Sequence, residues 1–548
     1  VWLSSVTNAT GADASFSVST GSNIVFLANA QVSSLAGKLN QSYTVTGGST
    51  YSIYMTRAGI GLNANGGVIN LVADAMNLSG AGNSIQSVGG YLNIMPYTAS
   101  TTIGLGTASA TLNLPTVLWD GSATGAAPVA GTSAGQIGAA VFKPGFAMIT
   151  VGSPNQTGAI TVNNVAADNL VFTSNLTLQT SNAGSYLISL RGTLKDAYSS
   201  LGNTYNSASL TILGQDNGTT IRNDIDAVTI TTNASQSYTG IYLQKNFLAT
   251  ATGSGSSITL TRVGNNGVVA GLSVNAPTIN AVGGNSGWVM AAGSTLTLTT
   301  DRLVIDAAGT ITVANGYINI VPLTNSTAIC VNNSGCGTAG LNITQNLLTS
   351  VISTGYYSLA LGGTASGGGA TLTSNATGGI AINNTASDTL TYFNNLFLLQ
   401  SPTAGGNIVE VGTIYSATNS PLNSASPALT GTGLPAYISL GISTGNSDSS
   451  LGLFKFGGVI NLTSAADSIY IKAPTVLTSA TTSITAAKAA ATQGVWLSSV
   501  TNATGADASF SVSTGSNIVF LANAQVSSLA GKLNQSYTVT GGSTYSIY

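Results

Sequence analysis

The sequence predicts an all-β chain wound as an elongated parallel β-solenoid (β-helix) with loop insertions, and three observations lead there. Residues 495–548 repeat residues 1–54 letter for letter, at an offset of 494. Chance cannot produce such a run, because a strand tolerates many side chains at each position. Short alternating or apolar segments recur roughly every 8–12 residues between Gly, Ser, Asn and Thr, which reads as strand after strand. Degenerate motifs also recur inside the long period, as expected of stacked layers whose inward positions must match. Residues 1–494 are therefore one tandem-repeat unit and 495–548 the start of the next. Tandem β-sandwich domains are the alternative, and they predict internal periods near about 90–100 residues, which are not found.

Taken in order, Ala14–Val18 alternates and Asn23–Leu27 is a short apolar run, so both read as strands. Ala30–Leu39 spaces Val32, Leu35 and Leu39 for either a short helix or a strand. From Gly59 onward the strand pattern is regular. Gly90-Tyr91-Leu92-Asn93-Ile94-Met95-Pro96 returns as Gly316-Tyr317-Ile318-Asn319-Ile320-Val321-Pro322, and Gly66–Leu71 returns as Gly457–Leu462. Turns of roughly 20 residues stacked about 4.8 Å apart would suit such a rod. Loop-rich breaks are expected near 120–145, 361–379 and 416–435, where Gly and Pro gather, because Pro cannot donate within a central ladder. An Ala-rich linker, with a short helix as one form, is expected near 482–494.

Composition narrows the function. Charged residues make up 5% of the chain, against about 25% in ordinary soluble domains. Glu410 is the sole glutamate, and there is no histidine. A net charge of −2 with 13 scattered basic residues argues against nucleic acid as a partner. A chain with so little self-repulsion is expected to cohere or bundle unless hydration or glycans keep it apart. No run of about 18 apolar residues is present, so no membrane-spanning helix is expected. With no signal or anchor in view, export and attachment are expected to be supplied outside these residues.

Cys330 and Cys336, in CVNNSGC, are the only cysteines. Their short spacing suits a local disulfide in an oxidising compartment, with reduced thiols as the other reading. No cofactor is expected. The densest acidic cluster is Asp216, Asp224 and Asp226 beside Arg222. It is read as solubilising loop chemistry, with a calcium site or a paired-carboxylate catalytic site as rivals. Asp74 and Asp301 are read as turn formers. Sequons recur along the chain, and Asn8, Asn155, Asn217, Asn325 and Asn375 are taken as candidate glycosylation sites; stacked Asn ladders compete for the same residues. Trp2, Trp119 and Trp288 are read either as outward contacts for glycans or a neighbouring fibre, or as caps on the core edge.

The runs GGVINLVADAMNLSGAGNSIQSVGGYLNIMPYTASTTIGLG and TDRLVIDAAGTITVANGYINIVPLTNSTA resemble repeat segments of filamentous-haemagglutinin-type proteins. The resemblance covers residues 57–121, 285–345 and 450–480. It implies a right-handed parallel β-helix in a large secreted bacterial adhesin. The secretion domain of that family is missing, and the long identical period departs from its short repeats. The expectation is an extracellular, cell-surface structural fibre or adhesive stalk, not an enzyme, whose units associate with one another end to end or laterally and whose surface meets host or neighbouring-cell glycans. The rival functions are a β-helical polysaccharide-degrading enzyme and a surface-layer protein of sandwich domains.

Overall fold

The computed structural model describes residues 1–121, 138–165, 167–181, 187–196, 208, 210–213, 220–223, 228–232, 236–238, 241–243, 247–251, 256–260, 263–265, 271–281, 288–305, 310–333, 340–352, 355–366, 371–392, 395–401, 406–416, 437–440, 452–462, 468–486 and 494–548. The chain divides into two compact units, Val1–Ala270 and Gly271–Tyr548. Each is a parallel β-solenoid with three strands per turn.

In the first unit, one turn comprises Trp2–Leu3, Val6–Asn8 and Ala14–Thr20, and the next comprises Ile24–Phe26, Gln31–Ser34 and Leu39–Val45. Each strand pairs in parallel with its counterpart one turn away, as Trp2 does with Val25, Val6 with Val32 and Ala14 with Leu39. The register advances by 25 residues from Ala14 to Leu39, 28 from Gln41 to Ile69 and 23 from Val68 to Tyr91. The turns are thus longer than the roughly 20 residues expected from strand spacing alone, because the polar corners add length that leaves no periodic signal.

Period-2 alternation decides what is inside. Ile24, Phe26, Val32, Tyr43, Ile53, Leu62, Ile69 and Leu71 are all 0% exposed, so apolar side chains stack turn on turn along a narrow interior. Corners close on asparagine as well as glycine. Asn29, Asn65 and Asn163 adopt φ of 59°, 48° and 60°, a left-handed conformation that short polar side chains tolerate. Outward positions include an Asn ladder, in which Asn93 Nδ2 donates to Asn70 Oδ1 at 2.9 Å on the neighbouring turn. Residues Gln31–Ser34 form a strand, the second of the two readings of that stretch.

In the second unit, one face runs through Thr295–Thr299, Tyr317–Val321, Ser358–Leu361, Asn395–Leu398, Tyr437–Leu440, Ser468–Ile471, Val495–Leu497 and Ile518–Phe520. The other faces pair in the same parallel way, for instance Ile380–Ile382 with Ile408–Glu410 and Thr413–Ser416 with Val459–Leu462. Among the described residues the one antiparallel pair of strands is Thr364–Ser366 with Thr371–Thr373, a hairpin inside the break expected at 361–379. The breaks expected at 120–145 and 416–435 lie largely outside the described residues. So does most of the expected linker, but Thr481–Ala486 is a strand with inward Ile484 and Ala486 buried. The solenoid therefore continues further into that stretch than its Ala-rich composition suggests.

The boundary between repeats falls inside this unit. Thr481–Ala486 pairs in parallel with Ser509–Thr514, Ser468–Ile471 with Val495–Leu497, and Thr475–Leu477 with Val500–Asn502. On all three faces the last turn of one period carries the first turn of the next.

Candidate functional site

Among the described residues, polar side chains gather where the regular winding is interrupted, and the two interruptions are built alike. In the first unit Tyr91–Met95 leads to Ile103–Gly106, on which Leu112–Pro115 folds back as a parallel strand before the 3-10 turn Thr116–Leu118. In the second, Tyr317–Val321 leads to Ile329–Val331, on which Leu341–Ile343 folds back before a π-helical turn, Leu347–Val351.

The likeness extends to the supporting carboxylates. Asp74 accepts from Thr98 N–H at 2.7 Å and from Thr98 Oγ1 at 2.6 Å, and Asp301 accepts from Thr324 N–H at 2.8 Å and from Thr324 Oγ1 at 2.6 Å. Read from sequence as turn formers, both act as clamps between one turn and the next. Asp168 and Asp388 each close a loop by accepting two backbone N–H groups. They come from Asn164 and Val165 at 3.0 and 2.9 Å, and from Asn384 and Thr385 at 2.9 and 2.7 Å. Burial works to raise the Asp168 pKa, but the Thr107 hydroxyl and the two backbone donors outweigh it and hold the carboxyl below its ordinary value. The backbone N–H groups of Asn384 and Thr385 do the same for Asp388. Both stay ionised and accept hydrogen bonds, which suits bracing and not proton donation.

Around the second interruption lies a groove of about 650 Å³ walled by Asn332, Asn333, Asn342, Thr344, Asn384 and Asp388. Its rim is braced. Asn332 Nδ2 donates to Asn383 Oδ1 at 2.8 Å, and Gln345 exchanges two hydrogen bonds with the Thr391 backbone at 2.8 and 3.0 Å. Amide and hydroxyl walls offer neutral donors and acceptors beside the ionised Asp388 carboxylate. At the matching positions of the first interruption Pro115 and Val165 stand for Thr344 and Thr385, and the Thr107 hydroxyl is turned onto Asp168.

Glu410 is the residue whose importance the sequence reading missed. It is 0% exposed and stacks between Ile382 and Phe456 in the interior. Neither carboxylate oxygen has a hydrogen-bond partner among the described residues. Burial pushes its pKa up to about 8, against the opposing pull of the Gly458 and Gly457 amides. The signal was present in Ile408-Val409-Glu410, where alternation puts Glu410 on the face of Ile408.

Cys330 is disulfide-bonded and buried; Cys336 lies outside the described residues, and the chain holds two cysteines in all. Asp216, Asp224, Asp226 and Asn217 also lie outside them. Among the described residues no three His, Cys, Asp or Glu side chains gather as metal ligands, and no helix is long and apolar enough to cross a membrane. Trp119 is 1% exposed, donates Nε1–H to Leu114 O at 3.2 Å and packs edge-on against Phe142. Trp288 is 4% exposed, whereas Trp2 is 66% exposed. Asn8 is buried, and its Nδ2 donates to Ala12 O, Ser34 Oγ and Ala36 O. Asn155, Asn325 and Asn375 are exposed.

Compared with known proteins, the chain matches no family model, no curated protein and no solved structure.

Proposed function

We propose that this chain is a segment of an extracellular surface fibre or adhesive stalk, in which 494-residue solenoid units follow one another as a continuous winding. The observation that carries this reading is the repeat boundary. A unit that hands its three faces to an identical unit in register is suited to indefinite extension, and each joint covers strand edges that would otherwise seek other partners. Its mechanism is mechanical: backbone ladders between turns and an apolar interior resist bending. An interior disulfide-bonded cysteine and a surface with few charges fit an oxidising, extracellular setting. The haemagglutinin-type resemblance is consistent with the same role.

The test is electron microscopy and fibre diffraction of the native protein, alongside recombinant chains of one, two and three periods. Contour length should rise by a constant step per period, with the strand-spacing reflection near about 4.8 Å along the long axis. Discrete beads on tethers, or a length that does not grow with period number, would overturn the proposal.

A further inference from the structure

The groove at the second interruption carries more chemistry than the winding requires. The first interruption folds the same way, yet it closes on itself. There the Thr107 hydroxyl donates to Asp168, Val165 stands 45% exposed at the place of Thr385, and Pro115 at that of Thr344. In the second interruption Asn333 takes the place of Thr107 and sends its Nδ2 to Asn383 O instead. Asp388 Oδ2 accepts the Asn384 and Thr385 N–H groups, and Oδ1 accepts no hydrogen bond among the described residues.

The walls are held in place before any ligand arrives. Cys330, two residues ahead of Asn332, is disulfide-bonded and buried. Asn332 Nδ2 donates to Asn383 Oδ1 and, at 3.2 Å, to Thr389 O. Gln345 is tied to the Thr391 backbone through both its amide atoms. Side chains braced in this way lose little freedom on binding.

What the walls present selects the ligand. Asn384 is exposed, and its side-chain amide makes no hydrogen bond among the described residues. Thr344 Oγ1 accepts from Leu347 N–H at 3.1 Å and keeps its own proton to donate. An amide offers donors and an acceptor and a carboxylate offers acceptors, which together complement neighbouring hydroxyls that both donate and accept. Asp388 is the one charged residue on these walls among the described residues, so an anionic ligand would meet repulsion and no cation. A calcium ion takes about six to eight oxygens, commonly from several carboxylates, and a single one is present. A second hollow of about 330 Å³ shares Asn342 and Thr344 with the groove. It is lined by Leu303, Val304 and Leu347, with Arg302 as its one charged residue among those described. Apolar walls beside polar ones suit a sugar ring, which has C–H faces and hydroxyl rims.

We infer that this groove binds a neutral oligosaccharide, with Asp388 and Asn384 holding a pair of neighbouring hydroxyls, Thr344 donating to a further oxygen, and the Leu303–Val304 wall facing a ring. A filament needs no such groove. The inference adds a ligand to the adhesive form of the fibre reading and rests on that reading only for the exported location.

The experiment presents the full 548-residue chain and its variant N333T/T385V to an array of glucose, galactose, mannose and N-acetylglucosamine oligosaccharides. Sialylated and sulfated glycans stand beside them, and calorimetry follows on any sugar retained. The two substitutions copy the first interruption, so they keep the winding and set a hydroxyl to close on Asp388. The parent should hold at least one neutral glycan, with hydrogen exchange slowed at 341–348 and 384–391. N333T/T385V should bind that glycan at least about tenfold more weakly, with the circular dichroism and melting temperature of the parent. Asp388→Asn keeps an oxygen for the two N–H groups and loses the charge, and it should weaken the same sugar by a smaller factor. Retention of charged glycans alone, retention of none, or equal binding by parent and variants would overturn the inference. Filaments that lengthen with period number yet hold no sugar would refute the groove and leave the fibre standing. Sugar held at the groove by a chain whose length does not grow with period number would do the reverse.

Discussion

Residues 1–54 and 495–548 are the same sequence in two settings. Their registers agree pair for pair: Trp2 with Val25 and Trp496 with Val519, Ala14 with Leu39 and Ala508 with Leu533. The corner bonds agree too, since Asn8 and Asn502 each donate to an alanine carbonyl four residues on and to a serine hydroxyl one turn away. What differs is cover. Strand Ala14–Thr20 has its apolar positions half-buried, whereas Ala508–Thr514, roofed by Thr481–Ala486, has them buried. The order reverses one turn on, where Leu39–Val45 is covered by Val68–Val72 and Leu533–Val539 is half-exposed. Trp2 is 66% exposed, while Trp496 lies 5.0 Å, centroid to centroid, from the Tyr470 ring of the turn before it. Register is thus written in the segment itself, and burial is conferred by the neighbouring turn.

Substitutions at matched positions should break that division if it is wrong. Phe510→Ala, at a 1% exposed site, should cost about 3–5 kcal/mol of local stability, and Phe16→Ala roughly half as much. Tyr43→Ala and Tyr537→Ala should show the opposite order. Hydrogen exchange on each variant measures both pairs, and equal costs would mean that cover contributes little.

Acidity sharpens the comparison next, because the copies place no carboxylate in the interior and Glu410 does. Its folded pKa of about 8 lies above the ordinary 4.5, so the folded state binds the extra proton between those values. Stability contributed by the protonated form is complete below about pH 4.5 and declines as pH rises to about 8, by on the order of 5 kcal/mol. Exchange around 408–456 should quicken between pH 5 and 9, with the chemical rate corrected for. Residues 495–548 should hold steady, since burial pushes Tyr537 up to about 12. Glu410→Gln should abolish the difference.

Corner bonds give a smaller effect. Asn8→Ala and Asn502→Ala should each cost about 1–3 kcal/mol and agree within about 0.5, since both networks are complete. Smallest is the aspartate that accepts a lysine N–H at 2.8 Å in one copy and 2.7 Å in the other. Asp13→Ala and Asp507→Ala should each cost about 0.5–1.5 kcal/mol.

Much of this architecture was legible before the coordinates. Alternation marks inward residues such as Ile69 and Leu71, and the recurrence of GYLNIMP as GYINIVP marks equivalent turns. Turn length was not legible, because corners such as Ser79–Asn83 or Pro96–Thr101 are polar and aperiodic. The roles of Asp74 and Asp301 were half-visible: their chemistry suits a turn, but their partners, Thr98 and Thr324, lie a full turn later. A second diverged match, Thr161–Leu170 with Ala381–Leu390, would have exposed Asp168 and Asp388 as a pair. It was obscured because the apolar positions between the shared Asn-Asn and Asp differ.

The joint at which Thr481–Ala486 meets Ser509–Thr514 has a consequence for heredity. Recombination between identical stretches of a gene adds or removes whole periods, and each resulting joint would keep the neighbours it had before. The number of turns would then change from one generation to the next by copy number, with no new contact to evolve at the joint.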